Sequence, residues 1–241
     1  MQPLLALLLL LPLCSPLSPP FSSPFSRRAA LDEALSAASL VAPSLLLPGP
    51  AGAASPAVAR VSLSNCVPDA SGSTAASLSI ALEPASAPVG VGHFQDLVKK
   101  GFYEGCPVFR AIPGFVAQFG ISPDPGLNKK YRSSPIQDDD LAASTKTSGG
   151  NTRGTLVFAT AGKNTRTTQL FLNLADNHFL DKDFSVIGRV TDLAKLDRIY
   201  TGYGEGAPRG KGPDQGQLMN VGGPYMERFP LMTRVDSITL E

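Results

Sequence analysis

The chain has 241 residues, of which 43% are apolar and 17% charged, and its formal net charge is +1. That balance describes a globular chain of one or two domains able to bury a core, and it excludes a disordered one. Charges of both signs are interspersed, so there is no basic stripe for nucleic acid; 22 prolines and 23 glycines favour turns and strands over long helices.

Residues 1–54 read as a targeting leader. Positions 1–13 are almost wholly apolar, like the hydrophobic region of a secretory signal, and too few to span a membrane. Positions 18–26 are rich in Ser and Pro and free of acids, in the manner of a transit peptide. Arg27-Arg28 then precede an Ala/Leu/Val/Ser stretch to residue 47, broken by Asp32 and Glu33, and 48–54 are Pro, Gly and Ala. The series resembles the bipartite leaders of algae with secondary plastids, followed by a thylakoid-lumen signal of the twin-arginine type. The alternative is one secretory leader and a Pro/Ser linker. Removal of 1–54 takes away two arginines, one Asp and one Glu, so the net charge stays +1. It leaves Cys66 and Cys106, either as a disulfide or as two half-buried thiols.

From residue 55 onward the pattern is that of a single domain. Alternation predicts strands at 58–63 and 77–82, joined by a polar turn segment. Val89, Val91, Phe94, Leu97 and Val98 share helical spacing over 88–100, and Gly101 stops that helix. Residues 108–118 surround one guanidinium and one amide with Phe, Ile and Val, across a Pro-Gly turn. Such groups are seldom buried without partners, so one reading is an edge strand with Arg110 and Gln118 facing water. The stretch 123–149 reads as a long polar loop, with Lys129-Lys130-Tyr131-Arg132 and Asp138-Asp139-Asp140 as solvated charge runs. Strands are expected at 156–159, 169–174, 185–190 and 233–240, and a second helix at 192–203. Gly202-x-Gly-x-Gly-x-x-x-Gly-x-Gly lacks the strand-to-helix context of a phosphate cradle and reads as a flexible loop. His93 and His178 are the two histidines, and no G-x-S-x-G elbow or paired-cysteine zinc spacing is present.

Three blocks change the reading of 108–118. Phe109, Arg110, Ile112, Pro113, Gly114, Phe115, Gln118 and Gly120 resemble the central motif of the cyclophilins, F-H-R-x-I-P-G-F-x-x-Q-G, with Phe109 at the usual histidine. Residues 154–171 resemble G-x-(L/V)-x-(M/F)-A-x-A-G-x-N-T-x-x-(S/T)-Q-F-F, and 173–188 resemble N-x-x-x-x-x-L-D-x-x-x-x-V-F-G. The resemblance implies a mainly β fold, a closed eight-stranded antiparallel barrel capped by two α-helices, over 55–241. It implies a peptidyl-prolyl cis-trans isomerase acting on proline-containing protein substrates as a monomer, with no cofactor, metal or nucleic acid and no membrane span in the domain. Arg110, Phe115 and Gln118 match the catalytic positions. Val116, Ala159, Thr160, Gln169, Phe171, Phe179, Leu180 and Phe184 match the substrate groove. Several depart from the usual residue: Val116 replaces a frequent Met, Thr160 an Asn, Phe179 a Trp, and Phe184 a His or Tyr. Gly90 and His93 replace the Thr and Asn at the start of the first helix, which implies a looser helix start. The alternative function is a catalytically weak binding module or assembly chaperone.

Overall fold

The computed structural model describes residues 57–241; the leader predicted over 1–54 lies outside the described residues. Eight strands follow the chain: β1 Val58–Ser64, β2 Ala76–Leu82, β3 Arg110–Ala111, β4 Val116–Phe119, β5 Thr155–Phe158, β6 Leu170–Asn173, β7 Val186–Val190 and β8 Arg234–Leu240. They form one antiparallel sheet in the order β3-β4-β6-β5-β7-β2-β1-β8. The sheet curls until its ends meet. Val108 donates to Thr233 O at 2.8 Å, Gly105 to Val235 O at 2.7 Å, and Val235 to Cys106 O at 2.9 Å. The expected eight-stranded barrel is thus joined by the segment ahead of β3, not by a ladder between β3 and β8.

The period-2 patterning explains the two sides. In β1 Ala59, Val61 and Leu63 are buried while Arg60 and Ser62 are not, and in β2 Leu78, Ile80 and Leu82 join them in the main core. Strands β4, β5 and β6 are buried at every position. Their inner residues (Ala117, Phe119, Leu156, Phe158, Leu170, Leu172) belong to the main core. Their outer residues Val116, Val157 and Phe171 belong to a separate apolar cluster with Leu180, Phe184 and Val186. The short apolar runs are continuous because both faces are covered.

Helix α1, Pro88–Lys99, buries Val91, Phe94, Leu97 and Val98 of the predicted stripe, while Val89 at its first turn is exposed. Its start is not loose. The Asp139 carboxylate accepts from Val89 N at 2.8 Å and Gly90 N at 3.0 Å, capping the helix from fifty residues away. A Cβ at Gly90 would lie 2.7 Å from Ile187 Cγ2 and 3.1 Å from both Arg166 and Asp139, so Gly90 makes room for this cap. The segment expected as a polar loop holds two helices, α2 Pro125–Arg132 and α3 Leu141–Ser148, N-capped by Asp124 and Asp140. They are short and hydrophilic, with no apolar periodicity to reveal them. The acidic run is likewise not a solvated face. Asp138 and Asp139 both pair with the buried Arg166, at 3.3 and 2.9 Å, and Asp140 caps α3. Tyr131 packs edge-on against Phe102, 5.0 Å between ring centres.

The helix predicted at 192–203 is only a 3-10 turn, Leu193–Arg198. Val67 N takes the Arg198 carbonyl at 2.7 Å and Thr233 Oγ1 takes Tyr200 N at 2.9 Å, so tertiary partners claim the groups a longer helix would use. Two further helices, α4 Gln215–Val221 and α5 Gly223–Met226, build a second small core of Leu218, Tyr225 and Met226 around Phe109 and Ile121. That core explains the Phe at position 109: its ring is an apolar anchor. Cys66 and Cys106 are free thiols; both are buried, Cys106 completely.

Candidate active site

The turn after β3 sets the site. Pro113 and Gly114 occupy the second and third places of the tight turn from Ile112 to Phe115, and Gly114 has φ +69°, the pattern of a type II turn. The resulting hairpin sets Arg110 opposite Gln118. Register carries the row onward: Gln118 faces Phe171, Phe171 faces Val157, and Val157 faces Val186. These side chains share the outer face of the sheet, so one cation, one amide and three apolar groups stand in a line.

Arg110 and Gln118 are only 6% and 9% exposed, which removes the reading of a water-facing edge strand. Both are partnered. Arg110 donates from Nη1 to Gln118 Oε1 at 3.4 Å, and Gln118 donates from Nε2 to Gln169 Oε1 at 2.7 Å. The guanidinium carbon lies 5.6 Å from the centre of the Phe115 ring, within cation–π range. Arg110 also donates from Nε and Nη2 to the two carboxylate oxygens of Glu205, at 2.7 and 2.9 Å. Partial burial works against the charged form of Glu205, but the hydrogen bonds and positive charge of Arg110 outweigh it and hold that carboxyl below the ordinary range.

Beside the cation lies an apolar socket. Val116, Phe171, Leu180 and Phe184 are packed in one cluster with Val157 and Val186, and Phe115 and Ala159 lean on its edge. Phe171 and Phe184 meet edge-to-face at 5.3 Å. Phe179 is 57% exposed and stacks on Phe115 at 6.0 Å, forming an open aromatic rim. Ala159 N donates to the backbone carbonyl of Gln169 at 2.9 Å, which ties together the backbones of these two groove residues. Thr160 is turned into its own loop, its hydroxyl bonded to Thr165 Oγ1 at 2.9 Å and to the Gly162 carbonyl. Ten of the eleven residues singled out from the sequence are thus joined by contacts around Arg110 and the socket, whereas the contacts of Thr160 lie within its own loop.

A buried polar chain supports the socket from behind. Asn177 donates to Phe115 O at 2.9 Å and to Asn173 Oδ1 at 2.7 Å; Asn173 donates to Thr155 Oγ1 at 2.8 Å and to Asn151 Oδ1 at 3.2 Å. Asn151 donates onward to Asp181 Oδ1 at 2.9 Å and Phe184 O at 3.1 Å. The chain thus ties the backbones of Phe115 and Phe184 to one network. Partial burial alone would raise the Asp181 carboxyl, yet hydrogen bonds from Asn151 and His178 hold it below the ordinary value. His178 is exposed and pairs with Asp181 at 3.2 Å, while His93 is bonded to Thr167 O at 2.6 Å and burial lowers its pKa. Among the described residues no cluster of three His, Cys, Asp or Glu could hold a metal.

Sequence reasoning missed Glu205, Asn151, Val157 and Val186. The two valines could have been found from strand register. Nothing local marks Glu205 or Asn151, because each meets its partner across a long separation in the chain.

The fold is that of a cyclophilin: a crystal structure of a cyclophilin type peptidyl-prolyl cis-trans isomerase from Cryptosporidium parvum superposes with a TM-score of 0.50 at 16% identity, covering 76% of this chain and 96% of that one. The family model described as "Cyclophilin type peptidyl-prolyl cis-trans isomerase/CLD" matches residues 70–209, more than half of the chain, and the chain belongs to that family. Peptidyl-prolyl cis-trans isomerase A of Dickeya dadantii is 39% identical over 127 residues, 48% of this chain and 62% of that protein. A peptidyl-prolyl cis-trans isomerase of Acinetobacter baylyi is 35% identical over 121 residues, 47% of this chain and 60% of that protein. The chain therefore spans less than two thirds of either relative. Peptidyl-prolyl cis-trans isomerase-like 1 of Gibberella zeae is 31% identical over 133 residues, 54% of this chain and 80% of that protein.

Proposed function

We propose that this chain accelerates cis-trans rotation about X-Pro bonds in protein substrates, with Arg110 as the catalytic cation. The barrier of roughly 18–20 kcal/mol comes from amide resonance. A catalyst has to favour the twisted bond, whose proline nitrogen has regained its lone pair. That needs a grip on the ring and a fixed donor aimed at the nitrogen, and no nucleophile or metal. The observation that carries the reading is the buried guanidinium of Arg110 standing beside an apolar socket of Phe171, Leu180 and Phe184. In such a partly dry site a preoriented cation acts more strongly than in water. Gln118 and Gln169 are suited to hold the flanking substrate backbone, and Phe115, Val116 and Phe179 to close the rim.

Exchange spectroscopy on an Ala-Pro peptide tests it. Arg110→Ala should fold and lose one to several factors of ten in rate, each worth ~1.4 kcal/mol of barrier; Arg110→Lys should rescue poorly because the planar fork is gone. An Arg110→Ala protein as fast as the parent would remove the mechanism and favour a binding module.

We further propose that the domain works as a soluble monomer in a plastid lumen. Support comes from the twin arginine, the apolar stretch and the Ala-Gly-Ala-Ala run of the leader. No helix among the described residues is long and apolar enough to cross a membrane. N-terminal sequencing of the native protein should find a start near residue 55. A start just after Cys14 or near Phe21, with Arg27-Arg28 retained, would rule out the lumen step.

A further inference from the structure

We propose that Glu205 is a positioning residue: its carboxylate locks the guanidinium plane of Arg110 so that the Nη1 edge is presented to Gln118 and the mouth of the socket. The inference rests on the reading of Arg110 as the catalytic cation.

An arginine side chain has many rotamers, and the one bond to Gln118 is long at 3.4 Å. By itself it would orient the group poorly. The Glu205 pair is different in kind. Two parallel bonds of 2.7 and 2.9 Å form a planar fork, which fixes direction as well as distance. Small errors in such direction are costly to catalysis. The fork uses Nε–H and one hydrogen of Nη2. Of the five guanidinium hydrogens, Gln118 takes one more and two stay available for a substrate nitrogen. The carboxylate therefore sets the aim of the cation without occupying the edge that faces the socket.

The loop that carries Glu205 is built to deliver it. Gly206 N donates to Glu205 Oε1 at 2.9 Å, so the carboxylate is itself oriented. Gly212 N donates to the Glu205 carbonyl at 2.8 Å, and Ala111 N, next to Arg110, donates to Gly204 O at 3.3 Å. A Cβ at Gly212 would stand 2.8 Å from the Glu205 carbonyl, and one at Gly210 would collide with it. The glycine-rich run is thus neither a phosphate cradle nor a free loop. Its lack of side chains lets the backbone wind closely around Glu205.

Kinetics and NMR of the mature domain test this with Glu205→Gln, Gly210→Ala and Arg110→Ala. Glu205→Gln keeps the shape, but its amide NH2 faces one of the two guanidinium donors and breaks the fork. Its kcat should fall about tenfold, equivalent to about 1.4 kcal/mol, with KM unchanged, the signature of an interaction felt in the transition state. The Arg110 Nε–H signal should be sharp in the parent and broadened in Glu205→Gln, while the amide spectrum shows both proteins folded. The charged groups acting on Glu205 are Arg110 from β3 and Arg209 from its own loop. The parent rate should hold through neutral pH and fall only as Glu205 protonates, below the ordinary Glu value of about 4.3; Glu205→Gln should lack that acid limb. Gly210→Ala should reproduce the kcat loss by displacing the Glu205 backbone. If Glu205→Gln kept the parent kcat and a sharp Nε–H while Arg110→Ala was slow, the positioning role would be refuted and the isomerase reading would stand. A loss confined to KM, or a faster Glu205→Gln, would also overturn it. If the parent and Arg110→Ala were equally inactive, the isomerase reading would fail and take this inference with it.

Discussion

Asn173 is the point at which the socket is most exposed to a single substitution. It is 0% exposed and its amide makes three hydrogen bonds, to Thr155, Asn151 and Asn177. Asn173→Ala removes all three. Thr155 Oγ1 still donates to Thr152 O at 2.7 Å, so that hydroxyl keeps a partner. Asn151 Oδ1 loses its bond, and so does one amide hydrogen of Asn177. Each buried polar group left unpaired costs about 1–3 kcal/mol, so the pair should cost roughly 2–6 kcal/mol. A loss near 4 kcal/mol would lower the Tm of a domain this size by about 8–16 °C. Thermal unfolding of the mature domain by circular dichroism reads this directly. Peptide turnover should fall as well, because the network also holds the backbones of Phe115 and Phe184. A Tm within about 3 °C of the parent, equal to a change of about 1 kcal/mol, would refute the claim that this chain of amides holds the socket.

Other outcomes follow from the same geometry. Phe171→Leu keeps most of the volume and should weaken binding of proline peptides while leaving the fold intact; equal binding of proline and alanine peptides would remove the socket. Phe115→Ala should lose rate and affinity together, and its stability cost should fall below the 3–5 kcal/mol typical of a fully buried ring, ~3 kcal/mol or less, since the ring is only half-buried. Asp139→Ala leaves the buried Arg166 short of a partner and uncaps α1, so it should destabilise by about 3–5 kcal/mol in urea melts, the cost of breaking a buried ion pair. The Asp181 carboxyl is held below its unfolded value, so it contributes stability above the ordinary Asp value of about 3.9 that is lost as pH falls through its native value; melts below pH ~4 should show a smaller acid decline for Asp181→Asn than for the parent. Burial pushes the Cys66 and Cys106 thiols up, so neither should react with iodoacetamide at pH ~8 until the protein is unfolded. Rapid labelling of the native domain would contradict their burial.

The strands and α1 were legible because period and composition are local. Val61, Leu63, Leu78, Ile80 and Leu82 alternate as a half-buried sheet must, and the Phe94 and Leu97 stripe could only be a helix face. The motif around Arg110, Pro113 and Gly114 also marked its own turn through the Pro-Gly pair; that Arg110 faces Gln118 depends on Phe115 joining the loop, with Ile112 N bonded to Val116 O. The groove residues were legible through the resemblance of the three motifs to the cyclophilin blocks and not through spacing, since Phe115 and Val116, or Phe179 and Leu180, are neighbours in the chain. What the sequence by itself could not determine was who partners each polar group. Asp139 read as a solvated charge because nothing nearby in the chain needs it; its partners are the start of α1 and Arg166, reached only when the sheet curls. Glu205 read as part of a loose glycine run for the same reason. The 3-10 turn at 193–198 ends early because Val67 and Thr233, distant in sequence, take the groups a helix would have used. Apolar burial is set by pattern, which a chain carries along its length. Hydrogen-bond and ion-pair satisfaction is set by distance in space, and only the closed tertiary structure decides it.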